Sequence, residues 1–168
     1  QEVAAAGPEN DAAKAAQVMS RLTAWFVHAT ALCVGITGLV YGWMRYFVES
    51  DDEFSLANHP AEPAMHEAHV LFAPVLVFAC GMIWLEHVLS RLRSGVKERR
   101  RTGIALAGLL LPMIASGYLI QVSVSEEWRA AWIWVHVVTS LLWLVTYLVH
   151  QLQRARAGTM VFELDRQP

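Results

Sequence analysis

The sequence is poor in charged residues and has almost no cysteine. Only 17% of its 168 residues are charged and 55% are hydrophobic, whereas an average soluble domain has about 25% charged residues. The net charge of −2 comes with no basic stripe, which argues against nucleic-acid binding. Cys33 and Cys80 both lie in apolar runs, so neither a disulfide framework nor a cysteine-rich zinc site can be built. No Cys-x-x-Cys-His occurs, which excludes covalently attached c-type haem. The composition is typical of a membrane protein.

Four apolar stretches are each long enough to cross a bilayer, which takes about 20 residues of helix. They run approximately over 22–48, 69–92, 104–124 and 130–152. We therefore predict an all-α fold, a transmembrane four-helix bundle with up-down antiparallel order, as one domain over residues 21–152. Residues 1–20 are predicted to form a cytoplasmic N-terminal segment and 153–168 a cytoplasmic tail. The first span is expected to be a retained helix and not a cleaved signal.

The basic residues between the spans predict the orientation. The loop between the second and third spans is strongly basic, with Arg91, Arg93, Lys97, Arg99, Arg100 and Arg101. The loop from Glu49 to Glu67 has acidic residues and no Lys or Arg. Because Lys and Arg are retained on the cytoplasmic side, both termini and the basic loop are predicted inside. The chain is expected to be a multi-pass protein of the inner (cytoplasmic) membrane, with its other two loops in the opposite compartment.

Five of the seven histidines lie in or at the ends of the spans, where ligating side chains are costly and are therefore functional candidates. His136 and His150 are fourteen residues apart, which is about 21 Å along a helix. His69 and His87 are eighteen apart on the second span, close to five whole turns, so they are expected to share one face. His28 lies about two turns into the first span. Depth therefore groups His69 with His136 on the outside, and His150 with His87 and His28 on the inside.

This arrangement fits two haem b groups, because haem iron takes two axial imidazoles and a helical bundle is where such groups are held. We predict that His69 and His136 hold the outer haem and that His150 holds the inner one with His87 or His28. With both axial positions filled by protein, the expected chemistry is electron transfer. Glycines such as Gly38 and Gly117 would allow a porphyrin to approach, although they suit ordinary helix packing equally well.

A haem-free protein is the alternative. It would be a membrane anchor for an extracytoplasmic enzyme, or a metal-handling protein that uses His and Met ligands. Copper or zinc could be bound by Met65, His66 and His69, because thioether and imidazole groups are ligands that suit these metals. The i, i+3 spacing of the two histidines is not the His-Glu-x-x-His of metalloproteases.

The four spans, with Trp134-Val135-His136 and Leu148-Val149-His150 in the last of them, resemble the small four-helix di-haem b-type cytochromes. That family includes bacterial cytochrome b561 and the membrane subunits of formate dehydrogenase and nickel-iron hydrogenase. The resemblance covers about residues 21 to 152 and maps family ligands onto His69, His136 and His150. Thr37-Gly38 and Ser116-Gly117-Tyr118 also look familial.

The first helix departs from the family pattern. The family places a ligand in an Arg-x-x-His-Trp motif, and the same frame here runs from Arg21 to Trp25 with Ala24 in the histidine position. His28 follows one turn later and could substitute for it, or the inner ligand could have moved to His87, which facing geometry slightly favours.

The resemblance also implies a role in electron transfer. Electrons would pass between a quinone pool and a redox partner outside the membrane, such as a c-type cytochrome or an oxidoreductase subunit. The chain would then be a subunit of a quinone-linked membrane oxidoreductase, in contact with lipid and with quinone as a possible ligand.

Overall fold

The computed structural model of the chain is helical. It describes the backbone of residues 8–50, 52, 54–55, 57–93 and 100–164, and the side chains of these ranges except those at 8–20, 86, 91, 92 and 154–164. The helices are α1 (Pro8–Phe47), α2 (Glu62–Met82), a π-helix (Trp84–Leu89), α3 (Ser90–Arg93), α4 (Arg100–Val122) and α5 (Glu126–Leu164). The described residues include no strand. The predicted all-α class is confirmed.

Four of these helices contain segments long and apolar enough to cross a membrane. The segments are Arg21–Phe47, Glu62–Met82, Arg100–Val122 and Glu126–Gln153, with a mean hydropathy between 1.4 and 1.9. Their large apolar side chains are mostly exposed; Leu71 and Leu111, for example, are each 70% exposed. Exposed apolar surface on this scale suits contact with lipid. The chain therefore has the helices of a multi-pass membrane protein, as predicted.

The second span differs from its prediction. The sequence pattern placed it at 69–92, but α2 begins at Glu62 and ends at Met82. Pro63 lies in the first turn of α2, where proline is tolerated because the backbone N–H there has no helical partner. His69 therefore lies about two turns inside the helix instead of at its start.

The prediction that His69 and His87 share one helix face is undermined by the same difference. His87 lies in the π-helix, beyond the end of the second candidate span. A π-helix has i→i+5 hydrogen bonds and winds differently from an α-helix. A count of whole α-helical turns between the two residues therefore no longer applies.

The described helices form two compact units, divided after Leu85. In the first unit, α1 and α2 form an antiparallel hairpin. Its direction follows from two contacts: Arg45 pairs with Glu62 near the connecting loop, and Val34 contacts His69 farther from it. We call the end of a hairpin with the connecting loop its loop end, and the other its open end.

In the second unit, α4 and α5 form another antiparallel hairpin. Met113 contacts His136 towards the loop end, and Thr102 contacts His150 towards the open end. The turn between the helices spans only 123–125. Arg129 stabilises this turn by donating to the Ser123 carbonyl at 2.9 Å and to Glu126 at 2.8 Å.

The longer loop of the first hairpin is held by a buried carboxylate. Glu62 is only 6% exposed, and its side chain accepts a hydrogen bond from the Asn58 backbone N–H at 2.8 Å and pairs with Arg45 at 3.3 Å. The Asn58 side chain in turn donates to the Arg45 carbonyl at 2.8 Å. These contacts join the end of α1 to the start of α2, which sets the register of the hairpin.

Some predicted features fall on other parts of the chain. Lys97 and Arg99 of the basic loop, and residues 1–7 and 165–168, lie outside the described residues. Where the flanking segments are described, they continue the helices, because α1 begins at Pro8 and α5 extends to Leu164.

Candidate haem-binding histidines

His69 of α2 packs against α1 through one edge of its ring. Its Nδ1 lies 3.2 Å from the Val34 carbonyl oxygen and 3.3 Å from the Thr37 hydroxyl. The next residue, Gly38, makes this approach possible. A Cβ atom there would lie only 2.8 Å from Cε1 of the ring and 3.0 Å from Nδ1. Such distances are shorter than van der Waals contact, so only glycine leaves room for the imidazole.

His136 of α5 packs against α4 in the same way. Its Nδ1 lies 3.0 Å from the Met113 carbonyl oxygen and 3.3 Å from the Ser116 hydroxyl. A Cβ atom at Gly117 would lie 3.2 Å from Cε1 of this ring and 3.4 Å from Nδ1. Ser116 is 1% exposed, so this contact is shielded from its surroundings.

The two hairpins therefore contain the same local arrangement. In each, the first helix supplies a carbonyl at position i, a hydroxyl at i+3 and a glycine at i+4, on one face. The set is Val34, Thr37 and Gly38 in the first hairpin and Met113, Ser116 and Gly117 in the second. The second helix supplies the histidine, whose Nδ1 edge faces this set. A metal-ligating histidine is commonly held in this way, by a contact of its other ring nitrogen with a carbonyl.

His150 has a related environment at the open end of the second hairpin. Its Nδ1 lies 2.8 Å from the Thr102 hydroxyl, which also donates to the Gln153 side-chain oxygen at 3.2 Å. The following residue is Gly103, where a Cβ atom would be 3.9 Å from Cε1 of the ring, an ordinary contact distance. The hydroxyl–glycine pair thus recurs beside a third histidine, with more space.

The two candidates for the inner partner of His150 have different surroundings. His28 is partly buried within the first candidate span, and its ring meets Trp25 edge-on at a centroid distance of 6.2 Å. His87 is exposed and lies in the π-helix, a helix type that is frequent at functional sites. Both residues remain predicted partners of His150.

The copper or zinc alternative depended on Met65, His66 and His69. The ring of His66 lies against Tyr41 at 5.0 Å, whereas His69 contacts Val34. Within the described part of the chain, no group of three or more His, Cys, Asp and Glu residues is arranged to hold a metal ion. Haem needs no such group, because the porphyrin supplies four of the six ligands of its iron.

The contacts of the Thr37 and Ser116 hydroxyls with the ring nitrogens of His69 and His136 were not predicted from the sequence. Thr37 and Ser116 were noted only as parts of short glycine motifs. A signal was present nonetheless: Thr102-Gly103 and Ser116-Gly117 are fourteen residues apart in α4, the same spacing as His136 and His150 in α5. In an antiparallel hairpin, equal spacings on the two helices allow both pairs to meet.

Compared with known protein families, curated proteins and solved structures, the chain has no match.

Proposed function

We propose that the chain is a di-haem b-type membrane cytochrome that transfers electrons between the quinone pool and an extracytoplasmic redox partner. In this proposal His69 and His136 are the axial ligands of one haem. His150 is a ligand of the second, with His87 or His28 as its partner.

The observation that carries the proposal is the matched environment of His69 and His136. Each ring is held through Nδ1 by the neighbouring helix, and each lies over a glycine that a larger residue would block. Helix packing alone would not require both the Nδ1 contact and the facing glycine to recur at a histidine of each hairpin. Two imidazoles prepared alike, one in each hairpin, are what a bis-histidine haem requires.

The described residues fit haem in their chemistry as well. A bound haem with two imidazole ligands supplies one-electron transfer and leaves no open iron position for oxygen. Hydroxyl groups and glycines contact the rings of His69 and His136, and the carbonyl contacts orient both rings. The chain would thus contribute the ligands and their orientation, the usual share of a protein in cofactor chemistry.

The quinone and the external redox partner rest on the resemblance to di-haem cytochromes. The four candidate spans support a role within the membrane. The proposed subunit would work with a protein that carries the substrate chemistry.

The test is a reduced-minus-oxidised visible spectrum of the purified full-length chain, with haem b quantified per chain. We expect close to two haems in the unaltered protein and one fewer in His136→Ala. His66→Ala is the matched control, because His66 is one turn from His69 but its ring contacts Tyr41. A folded, colourless protein would contradict the proposal and leave the anchor or metal-handling protein as the better account.

The inner ligand is decided by a paired comparison in the same assay. His28→Ala and His87→Ala are each measured for haem content and for the spectrum of the remaining haem. The variant that loses the haem also lost in His150→Ala identifies the partner of His150.

A further inference from the structure

We infer that Thr37 and Ser116 are positioning residues that set the protonation of the two ligand histidines, with the proton on Nδ1 and the lone pair on Nε2. The assignment of the proton follows from the hydrogen bonds of each hairpin. Its consequence for iron binding rests on the proposed function.

In the first hairpin, the Thr37 hydroxyl has one proton and donates it to its own helix. Its oxygen lies 2.8 Å from the Cys33 carbonyl oxygen, its closest acceptor there. With that proton used, the oxygen faces His69 as an acceptor. The Val34 carbonyl, which also contacts His69 Nδ1, can only accept. Nδ1 therefore lies between two acceptors, and a favourable contact with both requires that Nδ1 carry the hydrogen.

In the second hairpin, the argument is the same with different residues. The Ser116 hydroxyl donates to the Pro112 carbonyl at 2.6 Å. Its oxygen and the Met113 carbonyl are then two acceptors at 3.3 and 3.0 Å from His136 Nδ1. A neutral imidazole has one N–H donor and one acceptor nitrogen. With the hydrogen on Nδ1, the lone pair is on Nε2, on the ring edge away from these acceptors.

This assignment explains why a hydroxyl residue is present at both positions. A valine or alanine there would leave the carbonyl as an acceptor but remove the second one, and the ring could then turn or exchange its proton more freely. A second acceptor holds the ring plane as well as the tautomer. Hydrogen bonds of this type raise the basicity of a metal-binding imidazole, and their loss typically costs about 10–100-fold in metal affinity.

The test is ¹⁵N NMR of the full-length, haem-free chain in lipid nanodiscs, with ring-labelled histidine, at a pH where the imidazoles are neutral. The signals of His69 and His136 are assigned by their disappearance in His69→Gln and His136→Gln. We expect both rings in the Nδ1–H form. We also expect Thr37→Val and Ser116→Ala to increase the Nε2–H fraction at the neighbouring histidine alone, and Thr37→Ser to restore the original ratio.

Thr146→Val is the matched control, because the Thr146 hydroxyl donates to the Leu142 carbonyl at 2.7 Å in the same helical manner as Thr37. It should leave both ratios unchanged. Nε2–H forms in the unaltered protein, or equal shifts in the control and the two test variants, would overturn the inference.

A second readout uses the haem-loaded protein, in case the haem-free chain does not hold its fold. There we expect Thr37→Val and Ser116→Ala to raise the midpoint potential of one haem, because a less basic imidazole stabilises ferric iron less. We also expect them to weaken haem binding by about tenfold. Unchanged potentials and affinities would count against the inference. Rings in the Nδ1–H form in a protein that binds no haem would instead refute the proposed function and leave this assignment intact.

Discussion

Replacing Gly38 with alanine should displace the His69 ring. The displacement should be larger than the one that alanine at Gly117 or Gly103 causes at its own neighbouring histidine. The added Cβ would lie 2.8 Å from Cε1 of the ring. Restoring a contact of 3.4 Å requires a shift of about 0.6 Å, from 2.8 to 3.4 Å. The Nδ1 to Val34 distance is already 3.2 Å, so a shift of this size away from α1 breaks the hydrogen bond. We expect a loss of about 1–3 kcal/mol in unfolding free energy, the usual cost of overpacking.

Other glycines of the same chain give a graded series. At Gly117 the nearest ring atom would be 3.2 Å from the new Cβ, and at Gly103 it would be 3.9 Å. At Gly42 and Gly108, among the described residues, a new Cβ would meet no atom within 4 Å apart from its chain neighbours and its own helix backbone. Alanine at these two open positions should be neutral or stabilise the helix by up to about 1 kcal/mol, because glycine is a poor helix former.

The assay is haem content per chain together with thermal unfolding followed by tryptophan fluorescence. We expect the damage to decrease from Gly38→Ala to Gly117→Ala to Gly103→Ala, with Gly42→Ala at least as stable as the unaltered protein. Full haem content and stability in Gly38→Ala would refute the reasoning, because it would mean that His69 does not need the close approach to α1. Equal damage in Gly42→Ala would show that helix packing, and not the ring, is the cause.

Three further predictions concern the ligands, the loop and the orientation. His136→Ala and His150→Ala should each lose one haem while the other keeps its spectrum; loss of both from either variant would contradict two independent sites. Glu62→Ala should cost about 1 kcal/mol in thermal or denaturant unfolding, because it removes the carboxylate that accepts the Asn58 backbone N–H and pairs with the partly exposed Arg45; a change within about 0.5 kcal/mol would show that the loop contact is dispensable. In a background without native cysteines, Ser55→Cys should react with an impermeant maleimide from the side opposite to Lys97→Cys; labelling from the same side would refute the predicted topology.

The sequence alone was enough to predict the helical class and the number of spans. Long runs of apolar residues with few charges favour membrane helices. In lipid an unpaired backbone N–H or C=O group is costly, and a helix pairs these groups within a single segment. The histidines stood out for a related reason, because a ligating side chain is costly inside such a run. Local composition carries both kinds of information, so neither required knowledge of the packing.

The position of the second span was not predictable in the same way. The start of α2 depends on Glu62, a charged residue that hydropathy assigns to a loop. Its burial is made possible by Asn58, four residues earlier, and by Arg45, which is seventeen residues away in α1. The π-helix that holds His87 likewise changes a residue count that assumed a regular α-helix.

What only the tertiary structure decided is which ring edge each histidine turns towards its neighbouring helix. The sequence gives the positions of Thr37, Gly38 and His69 along the chain. It does not show that α1 places a carbonyl, a hydroxyl and the free space above a glycine against the ring of His69 in α2. That relation depends on the register of α1 against α2, which loop contacts and side-chain packing set together. Spacing within one helix is a property of the chain, whereas contact between two helices is a property of the fold, and the protonation of the histidines follows from the contact.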